Sequence, residues 1–181
     1  VLADLNGQMH ATIDSFKRDL AKIRTGRANP SLLDGVRVDY YGSETPLNKL
    51  ATVSVPDAQN LVVQPFDLGA IAQIDKAIRS ADLGLSPVND GKILRVPIPA
   101  LTSERRKEFV KLLWKEAEKH KVSARTHRRD ANELLKELHD EKEITDDDMR
   151  KAHDAVQKLT DDTTKKIDEI GKAKEEELLA V

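Results

Sequence analysis

The sequence predicts an α+β protein in which an antiparallel three-helix bundle carries an inserted small α/β (β/α/β) domain. Two helical stretches with apolar residues at steps of three and four bracket a segment that alternates with period two. Six of the seven prolines fall between residues 31 and 104, inside that middle segment. A chain of 181 residues suits one domain or two small ones.

The first stretch, residues 1–25, places Leu2, Leu5, Met9, Ile13, Phe16, Leu20 and Ile23 on one stripe. Gly26 and then Asn29-Pro30 read as its stop. In the middle segment, Val36–Tyr40, Ala51–Val55, Asn60–Gln64 and Ile93–Val96 read as strands. Asp67 is a cap for a helix over about 69–81 that places Ile71, Ile74 and Ile78 on one side, and Gly84 would end it. From Thr102 or Ser103 a long helix runs to about 139, with Leu113, Ala117, His120, Ala124, Ala131, Leu134 and Leu138 as its seam. Thr145 and Asp148 have the spacing of a capping box, and Met149, Ala152, Val156, Leu159, Thr163, Ile167, Ile170 and Leu178 form the stripe of the last helix. The expected division is therefore 1–29 with 103–181 as the bundle and 30–102 as the insert. The two crossings, near 25–31 and 97–102, are short and carry Pro and Gly, as a hinge would.

Composition excludes several functions. With no cysteine there is no disulfide framework, thiolate metal site or cysteine nucleophile. No apolar run approaches the roughly 18 residues of a membrane span. Val1–Leu5 has neither the basic region nor the apolar core of a signal peptide, and the absence of an initiating Met suggests that a few residues are missing. There is no G-x-G-x-x-G, no G-x-S-x-G and no P-loop around Gly91-Lys92, so neither an enzyme nor a nucleotide-binding site is expected. His120 and His127 stand two turns apart, roughly 10 Å, too far to share a metal directly. They read as seam residues, Trp114 as core, and Asp146-Asp147-Asp148 as a helix first turn rather than a calcium loop. No catalytic residue, metal or cofactor is expected.

The formal net charge of −2 would argue against a nucleic-acid partner, but it hides a strong asymmetry. Residues 105–129 hold ten basic and three acidic side chains, whereas residues 130–181 hold nine and seventeen. Within the basic half-helix, Lys121, Arg125, Arg128 and Arg129 fall in one sector of about 100°. Guanidinium forks match phosphate oxygens, so the stripe reads as a clamp on a nucleic-acid backbone. The alternative is a solvated helix face neutralised by the acidic last helix. Six aromatics in the chain are too few for a base-stacking platform, which favours recognition of folded RNA or DNA by shape.

Six motifs, in order, carry a resemblance that runs essentially end to end: Ile23-Arg24-Thr25-Gly26-Arg27-Ala28; Tyr40-Tyr41-Gly42 with Thr45-Pro46-Leu47; Ser80-Ala81-Asp82-Leu83-Gly84-Leu85; Arg95-Val96-Pro97-Ile98-Pro99; Leu101-Thr102-Ser103-Glu104-Arg105-Arg106-Lys107; and Arg128-Arg129-Asp130-Ala131-Asn132. Together they resemble the bacterial ribosome recycling factor family. The resemblance implies an L-shaped molecule that binds the post-termination ribosome and, with elongation factor G and GTP, splits it into subunits and frees it from mRNA. Elongation factor G would hydrolyse the GTP. The resemblance further implies that Arg106, Arg125, Arg128 and Arg129 contact large-subunit 23S rRNA near the peptidyl-transferase region, with Lys121 on the same stripe. Arg24 and Arg27 match a basic tip that serves either RNA contact or hinge geometry. Thr25, Gly26, Asn29, Pro30, Ser31, Pro97, Pro99, Leu101 and Thr102 match the flexible joint. A cytoplasmic monomer is expected. His127 departs from the pattern, which has an apolar residue there, and leaves the local seam open. A helical-bundle adaptor or co-chaperone, acting through apolar and acidic surface, is the competing function.

Overall fold

The computed structural model describes residues 1–180. Its chain packs as two units, one formed by Val1–Arg24 together with the chain from Ser103 onward, the other by Thr25–Thr102.

The first unit contains three helices: α1 (Leu2–Ala21), α3 (Ser103–Asp140) and α4 (Asp146–Leu179). The 38 residues of α3 span about 57 Å at 1.5 Å per residue. The three helices bury Leu5, Met9, Phe16 and Leu20 of α1, Leu113, Ala117, Ala124 and Ala131 of α3, and Val156, Ile167 and Leu178 of α4. The stripes differ from the periodicity reading at the start of α1, where Leu2 is 38% exposed, and at three further places. In α1, Thr12 takes the buried position expected of Ile13, and its hydroxyl donates to the Gln8 carbonyl at 2.9 Å, which makes the burial tolerable. In α3, Leu135 is buried (4% exposed) and Leu134 is 49% exposed. At 3.6 residues per turn, the seam after Ala124 and Ala131 returns at the eleventh residue, not the tenth. In α4, Thr160 and Gly171 join the stripe, while Ile170 is only half-buried. Gly171 makes room for Trp114: a Cβ there would lie 3.0 Å from the indole Cζ3. The half-buried Trp114 is thus a packing residue.

Helix α1 ends at Ala21, before the expected residue 25, because its last turn tightens. Ile23 N–H donates to the Leu20 carbonyl and Lys22 N–H to that of Asp19, three-residue bonds that close the helix. At the other end of the bundle the Thr145 box is fully formed. The Thr145 hydroxyl accepts from Asp148 N–H at 3.1 Å, and the Asp148 carboxylate accepts from Thr145 N–H at 3.1 Å.

In the second unit, β3 (Ala51–Asp57), β4 (Asn60–Pro65), β5 (Val88–Asn89) and β6 (Leu94–Pro97) form an antiparallel sheet of order β3-β4-β6-β5. A separate hairpin pairs β1 (Arg37–Tyr40) with β2 (Ser43–Pro46). Strands β2 and β5 carry no alternating apolar signal, because β2 is mostly polar and β5 is only two residues long. Tyr41 (φ 50°) and Gly42 (φ 81°) supply the two left-handed residues of a tight hairpin turn. Helix α2 (Ile71–Ser80) follows a 3₁₀ turn capped by Asp67, which accepts from Gly69 N–H. It ends before Gly84: Ala81 is the cap and Asp82, at φ 54°, already takes the left-handed turn. The core of this unit joins Val38, Leu61, Val63, Leu94 and Val96 to Ile74 and Ile78.

Residues 25–29 and 97–102 belong to this second unit, and each stretch is hydrogen-bonded into its sheet. Ala28 N–H donates to the Ala58 carbonyl and Ile98 N–H to the Gln59 carbonyl, both at 2.7 Å, so both segments hang on the β3–β4 turn. Asn29 caps a 3₁₀ turn over Pro30–Leu33, and Pro97 is the last paired residue of β6. Gly26 sits at φ 73°, and a Cβ there would lie 3.2 Å from both the Leu101 amide nitrogen and its Cγ.

Two predictions follow from these local features. Gly26→Ala destabilises the inserted unit by on the order of 1–2 kcal/mol in denaturant unfolding, from the positive φ alone and before the Leu101 contact is added. Gly35→Ala, which meets nothing within 4 Å, serves as the control. For the box, hydrogen bonds from the Thr145 hydroxyl and then its N–H hold the Asp148 carboxyl below its ordinary value of 3.8. A depressed carboxyl contributes stability above its unfolded pKa and loses it as pH falls through the lower folded value. Thermal unfolding of the wild type against Thr145→Ala should therefore differ most at neutral pH, and the gap should narrow as pH falls through the lowered carboxyl pKa to what the bond from Asp148 N–H to the Thr145 hydroxyl contributes. A gap that persists undiminished in acid would remove Asp148 from the box.

Candidate nucleic-acid interface

The basic stripe lies on the middle of α3, where the apolar seam fixes one helix face inward and leaves Arg125 and Arg129 exposed with Arg128 half-buried. Each of the four cations expected to act together has a distinct environment. Lys121 is turned toward α4, only 18% exposed, and ion-paired with Asp168. Arg125 donates to Glu118 Oε1 at 2.9 Å and remains 49% exposed. Arg128 reaches Gln157 of α4 at 3.5 Å, the weak end of a hydrogen bond. Arg129 is 70% exposed, with Asp130 at 3.9 Å as its nearest carboxylate.

Arg125, Arg128 and Arg129 line one groove of about 620 Å³ between α3 and α4. Val122, Met149 and His153 give it apolar and aromatic lining. Asn132, also on the wall, has a buried Oδ1 with no hydrogen-bond partner. Three guanidiniums at the rim of a shallow, partly apolar groove can grip phosphate oxygens and leave room for a sugar or base edge. The sequence reading did not find Asn132, Met149 or His153 as lining residues, because two of them come from α4 and meet α3 only in the folded bundle.

The other expected contacts lie elsewhere. Arg106 is half-buried and about 28 Å along α3 from Arg125. Arg24 is half-buried just beyond α1, and Arg27 is exposed in the second unit. Neighbouring Arg105 pairs with Glu108 at 3.0 Å and lies over the Phe109 ring at 5.5 Å.

His120 is a seam residue, as expected, but not an isolated one. Its Nε2 donates to Asp19 Oδ2 of α1 at 2.9 Å and lies 4.0 Å from Glu116 Oε2. That hydrogen bond is the main reason the Asp19 carboxyl falls below its usual range, against a partial burial that pushes it up. Asp19, Glu116 and His120 are the group of metal-ligating side chains gathered among the described residues. No described helix is long and apolar enough to cross a membrane.

The sequence profile described as "Ribosome recycling factor" matches residues 16–179. The chain is 52% identical to the ribosome-recycling factor of Shouchella clausii (strain KSM-K16) and 51% identical to that of Bacillus subtilis (strain 168). In both cases the match spans all of this chain and 98% of the relative. A solution structure of the ribosome recycling factor superposes with a TM-score of 0.77 at 38% identity, over 99% of this chain and 98% of that one. A second structure, of the T. thermophilus ribosome recycling factor and the E. coli elongation factor G bound to the E. coli post-termination complex, gives a TM-score of 0.64. It is 43% identical and covers 98% and 96% of the two chains. The helical arm, the small antiparallel-sheet unit and the arginine-lined face thus occur in a chain that belongs to the ribosome recycling factor family.

Proposed function

We propose that this chain binds the post-termination ribosome through the arginine face of α3 and, together with elongation factor G and GTP, drives its separation into subunits and its release from mRNA. The observation that carries the reading is the groove rimmed by Arg125, Arg128 and Arg129 on a helix whose opposite face is locked in the bundle. The binding partner on the ribosome is large-subunit 23S rRNA near the peptidyl-transferase region. Arg106 makes a separate contact toward the start of α3, and Arg24 and Arg27 contribute either RNA contact or joint geometry. Lys121 has a structural share in the stripe, since Asp168 neutralises it. The relative bound with elongation factor G on a post-termination complex supports the choice of partners.

The mechanism is mechanical rather than chemical. Phosphate contacts fix the bundle on RNA, and the inserted unit moves on the two chain crossings as elongation factor G works against it. The joint lies within Thr25–Ser31 and Pro97–Thr102, where Ala28, Pro97 and Ile98 are bonded into the sheet unit and Pro30 and Ser31 start a 3₁₀ turn. The factor works as a monomer in the cytoplasm, where the post-termination ribosome is found.

Arg128→Ala should weaken binding to purified large subunits by roughly tenfold, the cost of one charge-assisted hydrogen-bonded contact, with helix content unchanged. The logarithm of the wild-type affinity should fall linearly with the logarithm of salt concentration, and the variant's slope should be shallower by about one. An unchanged affinity at physiological salt would remove Arg128 from the interface. A flat wild-type salt profile would point to a protein-dominated contact instead.

A further inference from the structure

The joint between α1 and α3 holds a cluster that RNA binding does not use. Asp19 lies in the last turn of α1, and Glu116 and His120 stand one turn apart on α3. The His120 side chain is 8% exposed, and the two carboxylates are each 24% exposed. One donor atom from each of the three residues lies within 4.8 Å of the other two.

A single ring nitrogen serves two carboxylates here. Nε2 carries at most one proton, and its N–H bond points at one acceptor, which is Asp19 Oδ2 at 2.9 Å. Glu116 Oε2, 4.0 Å away, is left buried with no hydrogen-bond partner. Its nearest cation is the Lys119 ammonium at 3.5 Å, on a side chain 68% exposed and free to swing out. Asp19 has a similar outer partner in Lys22, at 3.4 Å and 79% exposed. A buried acceptor without a donor is costly, and no placement of one proton on Nε2 serves both carboxylates.

We propose that Asp19, Glu116 and His120 form a binding site for one first-row divalent cation of the zinc class. A metal ion bonds all three donors at once, where a proton bonds one. In a tetrahedral site with bonds of about 2.0–2.1 Å, neighbouring donors stand about 3.3–3.4 Å apart. The two separations at Nε2, 2.9 and 4.0 Å, straddle that value, so small rotations of the carboxylates close the site. Glu116 and His120 at i and i+4 share one helix face. Phe16, fully buried, packs on the imidazole with ring centroids 5.4 Å apart and a 51° tilt, which limits rotation of the ring. An imidazole with two carboxylates favours zinc and its neighbours over magnesium and calcium, which take oxygen ligands. Two carboxylates balance the ion's charge, and the fourth position is left to water. Because Asp19 is far from Glu116 and His120 in sequence, the site exists only in the folded bundle, and the ion would staple α1 to α3.

The test uses the full chain, freed of metal with a chelator and titrated calorimetrically with zinc chloride at neutral pH. One equivalent should bind with a micromolar dissociation constant, and cobalt(II) should give the visible absorption of a tetrahedral site. Glu116→Gln, which keeps side-chain shape, and His120→Ala should each weaken binding by on the order of tenfold or more. Zinc should raise the unfolding temperature of the wild type and not that of either variant. His139→Ala, which removes the other histidine beside carboxylates, should leave zinc binding unchanged. Absence of saturable binding, or binding that both Glu116→Gln and His120→Ala leave intact, overturns the proposal.

Discussion

The like charges on α3 set the terms for the rest of the bundle. Ten cations within 25 residues, against three carboxylates, repel one another along a single helix. An isolated helix with that charge would fray in water. What holds it is the seam: Leu113, Ala117, Ala124, Ala131 and Leu135 are buried against α1 and α4. The acidic last helix adds Asp168 against Lys121, and Glu118 on α3 itself screens Arg125. Arg125 and Arg129 of the stripe are thereby kept exposed on the face away from the seam. A near-neutral chain can then present a strongly basic line to RNA. Local geometry, not net charge, governs such binding at physiological ionic strength, because charges beyond about 8 Å are screened.

Polar groups inside the seam give the bundle its particular register. Thr12, Thr160 and Thr163 are buried, and each returns its hydroxyl to the carbonyl four residues back. They cost little and need no partner across the interface. Gly171 opens a seat for Trp114. His120 instead spans two helices and finds Asp19. Such features fix which turn of one helix meets which turn of another, a choice that a uniform leucine seam would leave degenerate.

The fold class was legible from periodicity alone, and so was the Thr145–Asp148 box, because both are local signals. Apolar spacing found the α1, α3 and α4 helices and four of the six strands. It missed β2 and β5, the first mostly polar and the second only two residues long, both held by pairing to β1 and β6. It chose Leu134 over Leu135 and Ile13 over Thr12, because adjacent positions on a helix differ by 100° and a neighbour's shape decides between them. The arginine stripe was legible because it lies on one helix. Its surroundings were not: the pairing of Lys121 with Asp168 joins residues 47 positions apart, and Met149 and His153 reach the groove from another helix. The same holds for the Asp19–Glu116–His120 cluster, in which two residues share a helix and the third comes from α1.

The central claim is that the arginine face of α3 is what couples this chain to ribosome splitting. The most direct test is sedimentation of post-termination complexes with this chain, elongation factor G and GTP, using the wild type and a variant with Arg125, Arg128 and Arg129 all changed to Ala. The wild type should convert intact ribosomes to free subunits, and the variant, with unchanged helix content and unfolding temperature, should leave them intact. A variant that splits ribosomes as fast as the wild type would contradict the account.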